Sequence, residues 1–232
     1  RKQGKQLVAV ACHDDIVDWL QPDWVLRADT QTFQWRSVQP RPRINVTIEP
    51  CSRSHWATFS RFHYLTASVR KGANFSLLRV DGVPAAICAW FRFPTNKTGP
   101  KIPVMRLSRT VVLPDYQGLG LAFVLTEFLG SIMSAVGIRL HACTAHAGYI
   151  RSRRRSPNWL MVKDSTPRSN GTSAKAQAPS QSRPAATFRY VGPKAEPADA
   201  YKHMSAFGDK WWCRLPKWKR AEQEYREHSH VC

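Results

Sequence analysis

Leu107-Ser-Arg-Thr-Val-Val-Leu-Pro-Asp-Tyr-Gln-Gly-Leu-Gly-Leu-Ala122 is the stretch whose reading decides the fold. Leu107 to Leu113 is rich in β-branched and aliphatic residues and predicts a buried strand. Leu119 to Val136 is an apolar run of helical length that contains Phe123, Leu125, Phe128, Leu129, Ile132 and Met133. A strand therefore ends at Pro114, a glycine turn follows, and a helix opens. Gly118 and Gly120 have no Cβ, so the backbone there can come close to a ligand. The first N–H groups of a helix lack partners within it, and the positive end of the helix dipole lies behind them. A phosphate or pyrophosphate fits that place. A plain strand–turn–helix with glycines for tight packing has the same outline. No Gly-Lys-Ser/Thr follows, which excludes a Walker loop, and no G-x-G-x-x-G is present, which excludes a dinucleotide fingerprint.

Working outward, Ile102–Leu113 is the whole of that strand. Phe75–Val80 and Pro84–Phe93 read as strands joined by the hairpin signal Asp81-Gly82. Before them, Ile44–Ile48 alternates as a strand, and Ser52–Thr66 reads as a helix with Ser52 or Ser54 as its cap. Further toward the N-terminus come a strand candidate at Leu7–Ala11, a short helix at His13–Leu20 and a hairpin arm at Thr30–Val38. After Gly137, Ile138–Thr144 is a strand, His146–Arg155 a short helix or loop, and Trp159–Lys163 a strand. Thr166–Ala186 has almost no large apolar side chain and is expected to be mobile. Thr187–Val191 returns as a strand, and Pro197–Cys232 is a partly helical tail. The expected division is an N-terminal extension, residues 1–43, packed on the core. A central domain at 44–191 carries the insertion 166–186, and a basic, aromatic tail follows at 192–232.

The 232 residues include 35 Lys and Arg against 16 Asp and Glu, a net charge of +19. Such a balance speaks of partners rather than fold, and nucleic acid is the first candidate because each neutralised phosphate releases counterions. No apolar run reaches the roughly 18 residues of a spanning helix, so no membrane partner is expected. Asp14 and Asp15 cut short the apolar N-terminal run, which argues against a signal peptide. The six cysteines form no C-x-x-C pair and suit reduced thiols in the cytoplasm. Asn45, Asn74, Asn96 and Asn170 open glycosylation sequons that matter only in a secreted chain.

Gln117-x-x-Gly120-x-Ala122, between a strand and a helix, resembles the Q/R-x-x-G-x-G/A pyrophosphate loop of the GNAT superfamily of N-acetyltransferases. The order of elements from about Ile44 to Val191 resembles that superfamily too. The resemblance implies an α+β, mixed α/β fold: a mostly antiparallel mixed sheet with helices on both faces. It also implies that Gln117, Gly118, Leu119, Gly120, Leu121 and Ala122 hold a donor's pyrophosphate, while Val111, Val112 and Leu113 bond its pantetheine arm. Phe62-His63-Tyr64-Leu65, Ser108 to Gly118 and Arg153–Trp159 look like the Mom branch of the fold, phage proteins that add a carbamoylmethyl group to N6 of adenine and so hide DNA from restriction. The implied partner is double-stranded DNA, in the host cytoplasm, with a homodimer left open. The donor stays open among an acyl-coenzyme A, a glycine-derived compound and a route assisted by iron or another transition metal. A GNAT enzyme acting on protein or aminoacyl-tRNA, and a non-catalytic DNA-binding protein, are the rival readings.

Candidate residues follow. Alternation along the strand puts Arg106, Ser108 and Thr110 on one face. Ser108 either orients the substrate amine or carries its proton, or is a structural hydroxyl. Tyr149 follows the fifth strand, where the superfamily often places a proton donor. His63 and Tyr64 are candidates to line a base pocket, since flipped bases stack on aromatics. Asp115 either holds an amine or serves the turn. Arg106, Arg151, Arg153, Arg154 and Arg155 form the candidate DNA contacts, extended by Arg41, Arg43, Lys97, Lys101, Lys217, Lys219 and Arg220. His141, Cys143 and His146 are metal-ligand types without a recognised ligand spacing.

Overall fold

The computed structural model describes residues 7–13, 15–20, 22–35, 44–63, 66–94, 102–164, 185–208 and 210–229. The expected mobile insertion falls outside them except for Ala185 and Ala186, as do Tyr64, Arg41, Arg43, Lys97 and Lys101. The chain divides into two compact units, Arg1–Ile44 and Asn45–Cys232. The first contains helix α1 (Asp15–Leu20) and a hairpin of β1 (Trp24–Arg27) and β2 (Thr32–Trp35). Trp24, Phe33 and Trp35 stack along that hairpin, with ring centroids 5.8 and 5.9 Å apart.

The second unit is built on a seven-stranded sheet. Its strands are β3 (Val46–Cys51), β4 (Asn74–Val80), β5 (Val83–Phe93), β6 (Val104–Val112), β7 (Arg139–Thr144), β8 (Trp159–Lys163) and β9 (Ala186–Tyr190). They lie in the order β3-β4-β5-β6-β7-β9-β8, and every neighbouring pair is antiparallel except β6–β7. Helices α2 (Trp56–Ser60), α3 (Leu121–Ala135), α4 (Ala147–Arg155), α5 (Pro197–Ser205) and α6 (Pro216–Ser229) complete the unit. The β4–β5 turn has Asp81 at φ 47° and Gly82 at φ 81°, the two left-handed residues that an Asp-Gly hairpin requires.

Both faces of the sheet are covered. On one, Leu121, Leu125, Leu129, Ile132 and Met133 of α3 pack on Leu78, Ala86, Cys88, Trp90, Met105, Leu107, Leu140 and Phe188. On the other, Trp56 and Phe59 of α2 pack on Phe75, Leu77, Ile87, Ala89 and Val111. The fold is thus the expected mixed, mostly antiparallel sheet with helices on both faces.

Three expectations need correction. Leu7–Ala11, expected as a strand, is irregular. The helix over Ser52–Thr66 is a 3-10 turn at Arg53–His55 followed by only the short α2; its capping serine makes no side-chain cap bond. Past Ser60 the chain turns away, and the indole N–H of Trp56 donates to the Ala67 carbonyl at 2.7 Å. Ala200, Met204, Trp212, Trp218 and Ala221 are buried in the α3-side core, and Phe207 meets Trp90 edge-on at 5.0 Å.

The third correction concerns β6. Ala89 pairs with Arg109 and Trp90 with Leu107, so the ladder skips Ser108. That bulge inverts the alternation, because an extra residue moves every later side chain to the other face. Before it, Met105 and Leu107 join the α3-side core; after it, Val111 joins the α2-side core. Arg106 and Thr110 therefore lie on opposite faces, not one. Among the described residues no helix is long and apolar enough to cross a membrane.

Candidate functional site

Parallel pairing of β6 with β7 runs from Val104–Arg139 to Leu107–Ala142 and stops there, although β6 continues to Val112. Beyond that pair β7 pairs only with β9, through Cys143 and Thr144. The two strands part immediately before the Ser108 bulge, and one backbone edge of β6 is left without a β7 partner. A cleft of about 520 Å³ occupies the gap.

The start of α3 closes one end of the cleft. Leu113 N–H donates to Ala85 O at 2.9 Å and ends the strand, Pro114–Tyr116 form a 3-10 turn, and Gln117 N–H closes onto Pro114 O at 3.1 Å. Gly118 (φ 84°) and Gly120 (φ 79°) are left-handed, which any other L residue adopts at a cost. Gly120 is the residue before α3, and its carbonyl accepts from Phe123 N–H and Val124 N–H. The first N–H groups of α3 open toward the cleft, which Gln117, Gly118, Gly120, Leu121 and Ala122 line. The Gln117 amide donates to Val112 O at 3.2 Å and ties the turn to the strand end.

One wall comes from the α2 side. Phe62, His63 and Arg109 line it. The Arg109 guanidinium donates to Ser108 O at 2.9 Å and Thr66 Oγ1 at 3.3 Å, while its Nε is buried without a partner. Burial, with the nearby Arg109 charge, holds His63 below the usual histidine pKa, so it is neutral at pH 7. The opposite wall comes from the α3 side: Thr110, Phe123, Tyr149 and Arg153. Tyr149 stacks on Phe123, centroids 5.1 Å apart. Its hydroxyl is buried beside the Arg153 guanidinium. Burial, only partly opposed by the Arg153 charge, pushes the phenol up to about 12. Tyr149 is therefore a proton-bearing group throughout the neutral range.

His146 caps α4: its Nδ1 accepts from Tyr149 N–H at 3.3 Å. That bond sets the aim of the helix that presents Tyr149 and Arg153, one turn apart on one face. Among the described residues no group of three or more His, Cys, Asp or Glu is placed to hold a metal ion. Cys143 and His146 line the cleft and His141 does not.

Of the sequence candidates, Ser108, His63, Tyr149, Val111, Val112, Gln117, Gly118, Gly120, Leu121 and Ala122 meet in this cleft. Leu113, Leu119 and Asp115 do not line it; Asp115 is exposed in the 3-10 turn, as turn chemistry requires. Arg106 lies on the α2-side face, over the ring of Phe93 at 4.9 Å. It shares a cross-strand row with His141 and Arg189. Arg153 is a correction. It is 1% exposed and apart from the surface run, while Arg151, Arg154 and Arg155 are exposed. Arg154 is bound to Asp164 at 2.5 Å. Sequence reasoning missed Arg109 as a cleft residue; a second arginine inside a strand otherwise read as buried was the available signal.

No protein-family model matches the chain, and no curated protein matches it. Among solved structures, the ribosomal-protein-S18-alanine N-acetyltransferase from Escherichia coli is 14% identical with a TM-score of 0.45, over 65% of this chain and 96% of that one. The IAA acetyltransferase from Bacillus cereus is 12% identical, TM-score 0.45, over 63% and 99%. N-acetylglutamate synthase from Neisseria gonorrhoeae, solved with coenzyme A and N-acetyl-glutamate, is 17% identical, TM-score 0.41, over 64% and 35%.

Proposed function

We propose that this protein is a transferase of the GNAT type that takes an acyl-coenzyme A-like donor into the cleft and forms an amide on an amine, the acyl–sulfur bond breaking as the N–C bond forms and the amine proton passing to solvent, and that the amine is N6 of adenine in duplex DNA; a carbamoylmethyl product, joined to N6 through a CH2 carbon, would need a different donor. The observation that carries the reading is the separation of β6 from β7 after Leu107 and Ala142, directly before the glycine start of α3. An unpaired strand edge and a helix N-terminus then face one cavity. The N–H groups of Leu121 and Ala122 hold a pyrophosphate, and the free edge of β6 bonds an extended amide-bearing arm as a further strand would. Tyr149, protonated and buried, gives its proton to the leaving group. Ser108, at the bulge between both walls, orients the incoming amine.

The nucleic-acid part rests on charge and surface. The net charge is +19. On the α2-side sheet face Arg70 stacks on Phe91 at 4.7 Å and Arg106 on Phe93 at 4.9 Å. Cations interleaved with aromatic rings suit phosphates and unstacked bases. N6 is stacked within the duplex, so its base must leave the helix to reach the cleft. Half-exposed Phe62, beside His63 at the cleft, is placed to receive the ring.

The test is the nucleoside content of DNA from cells expressing the protein, read by mass spectrometry. A new adenosine species that disappears in Tyr149→Phe supports the reading. Unchanged nucleosides with blocked translation would move the acceptor to aminoacyl-tRNA or protein.

A further inference from the structure

Among the described residues Arg153 is the largest charged side chain that is fully buried, at 1% exposure, and none of the described carboxylates forms an ion pair with it. Its guanidinium rests 3.7 Å from the ring centre of Trp159 and 5.0 Å from that of Tyr149. Nη2 donates to Thr126 Oγ1 at 3.3 Å, and the Tyr149 hydroxyl interacts with the guanidinium. Nε and Nη1 are buried with no partner. Glu127, whose charge acts on Arg153, is already engaged by Ser156, Asn158 and Trp159. A buried cation with unmet donors is costly, and aromatic faces offset only part of that cost. Yet this one borders the cleft, one helical turn beyond Tyr149.

We infer that Arg153 forms the floor of an anion-receiving subsite, which takes a carboxylate at the far end of the group that the donor carries. A carboxylate there neutralises the guanidinium and satisfies its free N–H groups, a charge-assisted bond in a site from which water is excluded. Acetyl, which ends in a methyl, leaves both unmet. The inference rests on the donor reading above, and fixes which acyl class that donor belongs to. The same chemistry could come from a free carboxylate bound beside coenzyme A, so the test includes both sources.

The purified protein is titrated calorimetrically with coenzyme A, acetyl-coenzyme A, malonyl-coenzyme A, and coenzyme A in the presence of malonate. Malonyl-coenzyme A should bind at least about tenfold more tightly than acetyl-coenzyme A, the size expected of one charge-assisted pair. Arg153→Gln should bring the two within about twofold while binding of coenzyme A itself persists, and Arg153→Lys should keep the order. If malonate with coenzyme A reproduces the gain, the subsite takes a free carboxylate, and the assignment of Arg153 stands. Equal affinities in the wild type, with no effect of malonate, overturn the inference without touching the donor reading. So does a preference that survives in folded Arg153→Gln. If no coenzyme A compound binds, the donor reading fails, and malonate alone decides the subsite: binding lost in Arg153→Gln upholds it, no binding ends it. The wild-type comparison decides the matter even where Arg153→Gln does not fold.

Discussion

The ring of Tyr149 lies on that of Phe123, with centroids 5.1 Å apart and planes 16° from parallel. Phe123 belongs to the first turn of α3, so this contact ties the buried hydroxyl to the helix start proposed to receive a donor's phosphates. Stacking also removes rotamer freedom from the phenol, which positions the hydroxyl before anything binds.

Removing only that hydroxyl separates its chemistry from its packing. Tyr149→Phe keeps the stack and should melt close to the wild type, while kcat falls by about 10²–10⁴-fold and the donor KM holds. In the proposed mechanism the acid form is the active one, and burial lifts the pKa to about 12. Wild-type kcat should therefore show no descending limb near pH 10, where an ordinary phenol ionises. Full activity in Tyr149→Phe would remove the residue from proton transfer.

Gly120 precedes α3 at φ 79°. Aspartate tolerates the left-handed region better than most residues, so Gly120→Asp should cost roughly 1–2 kcal/mol of stability. Its carboxylate, set where an anion should bind, should reduce coenzyme A affinity far more than that loss explains. Unchanged affinity, measured by calorimetry, would place the donor elsewhere.

The arginine run divides into two parts with different expected effects. Changing exposed Arg151, Arg154 and Arg155 together to Ala should weaken binding to every DNA sequence and lower the slope of log K against log salt by about two to three. Arg154 already pairs with Asp164, which favours the lower figure. Arg153→Ala, by contrast, empties a buried aromatic box and should lower the melting temperature without reducing the salt slope. A lost slope in Arg153→Ala with normal stability would put that side chain back on the surface.

These differences show what the sequence could and could not disclose. The strand–glycine–helix unit and the Asp81-Gly82 hairpin are local, and their backbone demands are written in residue type. The bulge at Ser108 is not: Arg106, Ser108 and Thr110 are all polar, so no apolar side chain marks the change of face. Arg153 looks like its neighbours in a basic run, and its burial depends on Trp159, Phe123 and Thr126 from two other elements. Likewise Trp212 reads as part of a tail because its partner Trp90 on β5 is distant in sequence.

Stability should respond to acid through His203. It sits on α5, edge-on to Phe128 at 5.1 Å, and burial lowers its pKa to about 4. Between that value and the ordinary histidine value the unfolded chain binds the proton and the folded one does not, so stability falls as pH drops from about 6.5 to 4. The linked change is on the order of 3 kcal/mol. Melting temperatures of His203→Phe across that range should be flatter than those of the wild type; identical pH profiles would show that His203 protonates in the folded state.

The most direct test of the donor cleft is a backbone amide titration of the isotope-labelled protein with coenzyme A. The account predicts that the amides of Gly118 to Ala122, the free edge of β6 from Ser108 to Val112, and Tyr149 shift together along one saturable curve. Shifts confined to other elements, or none at millimolar coenzyme A, would contradict it.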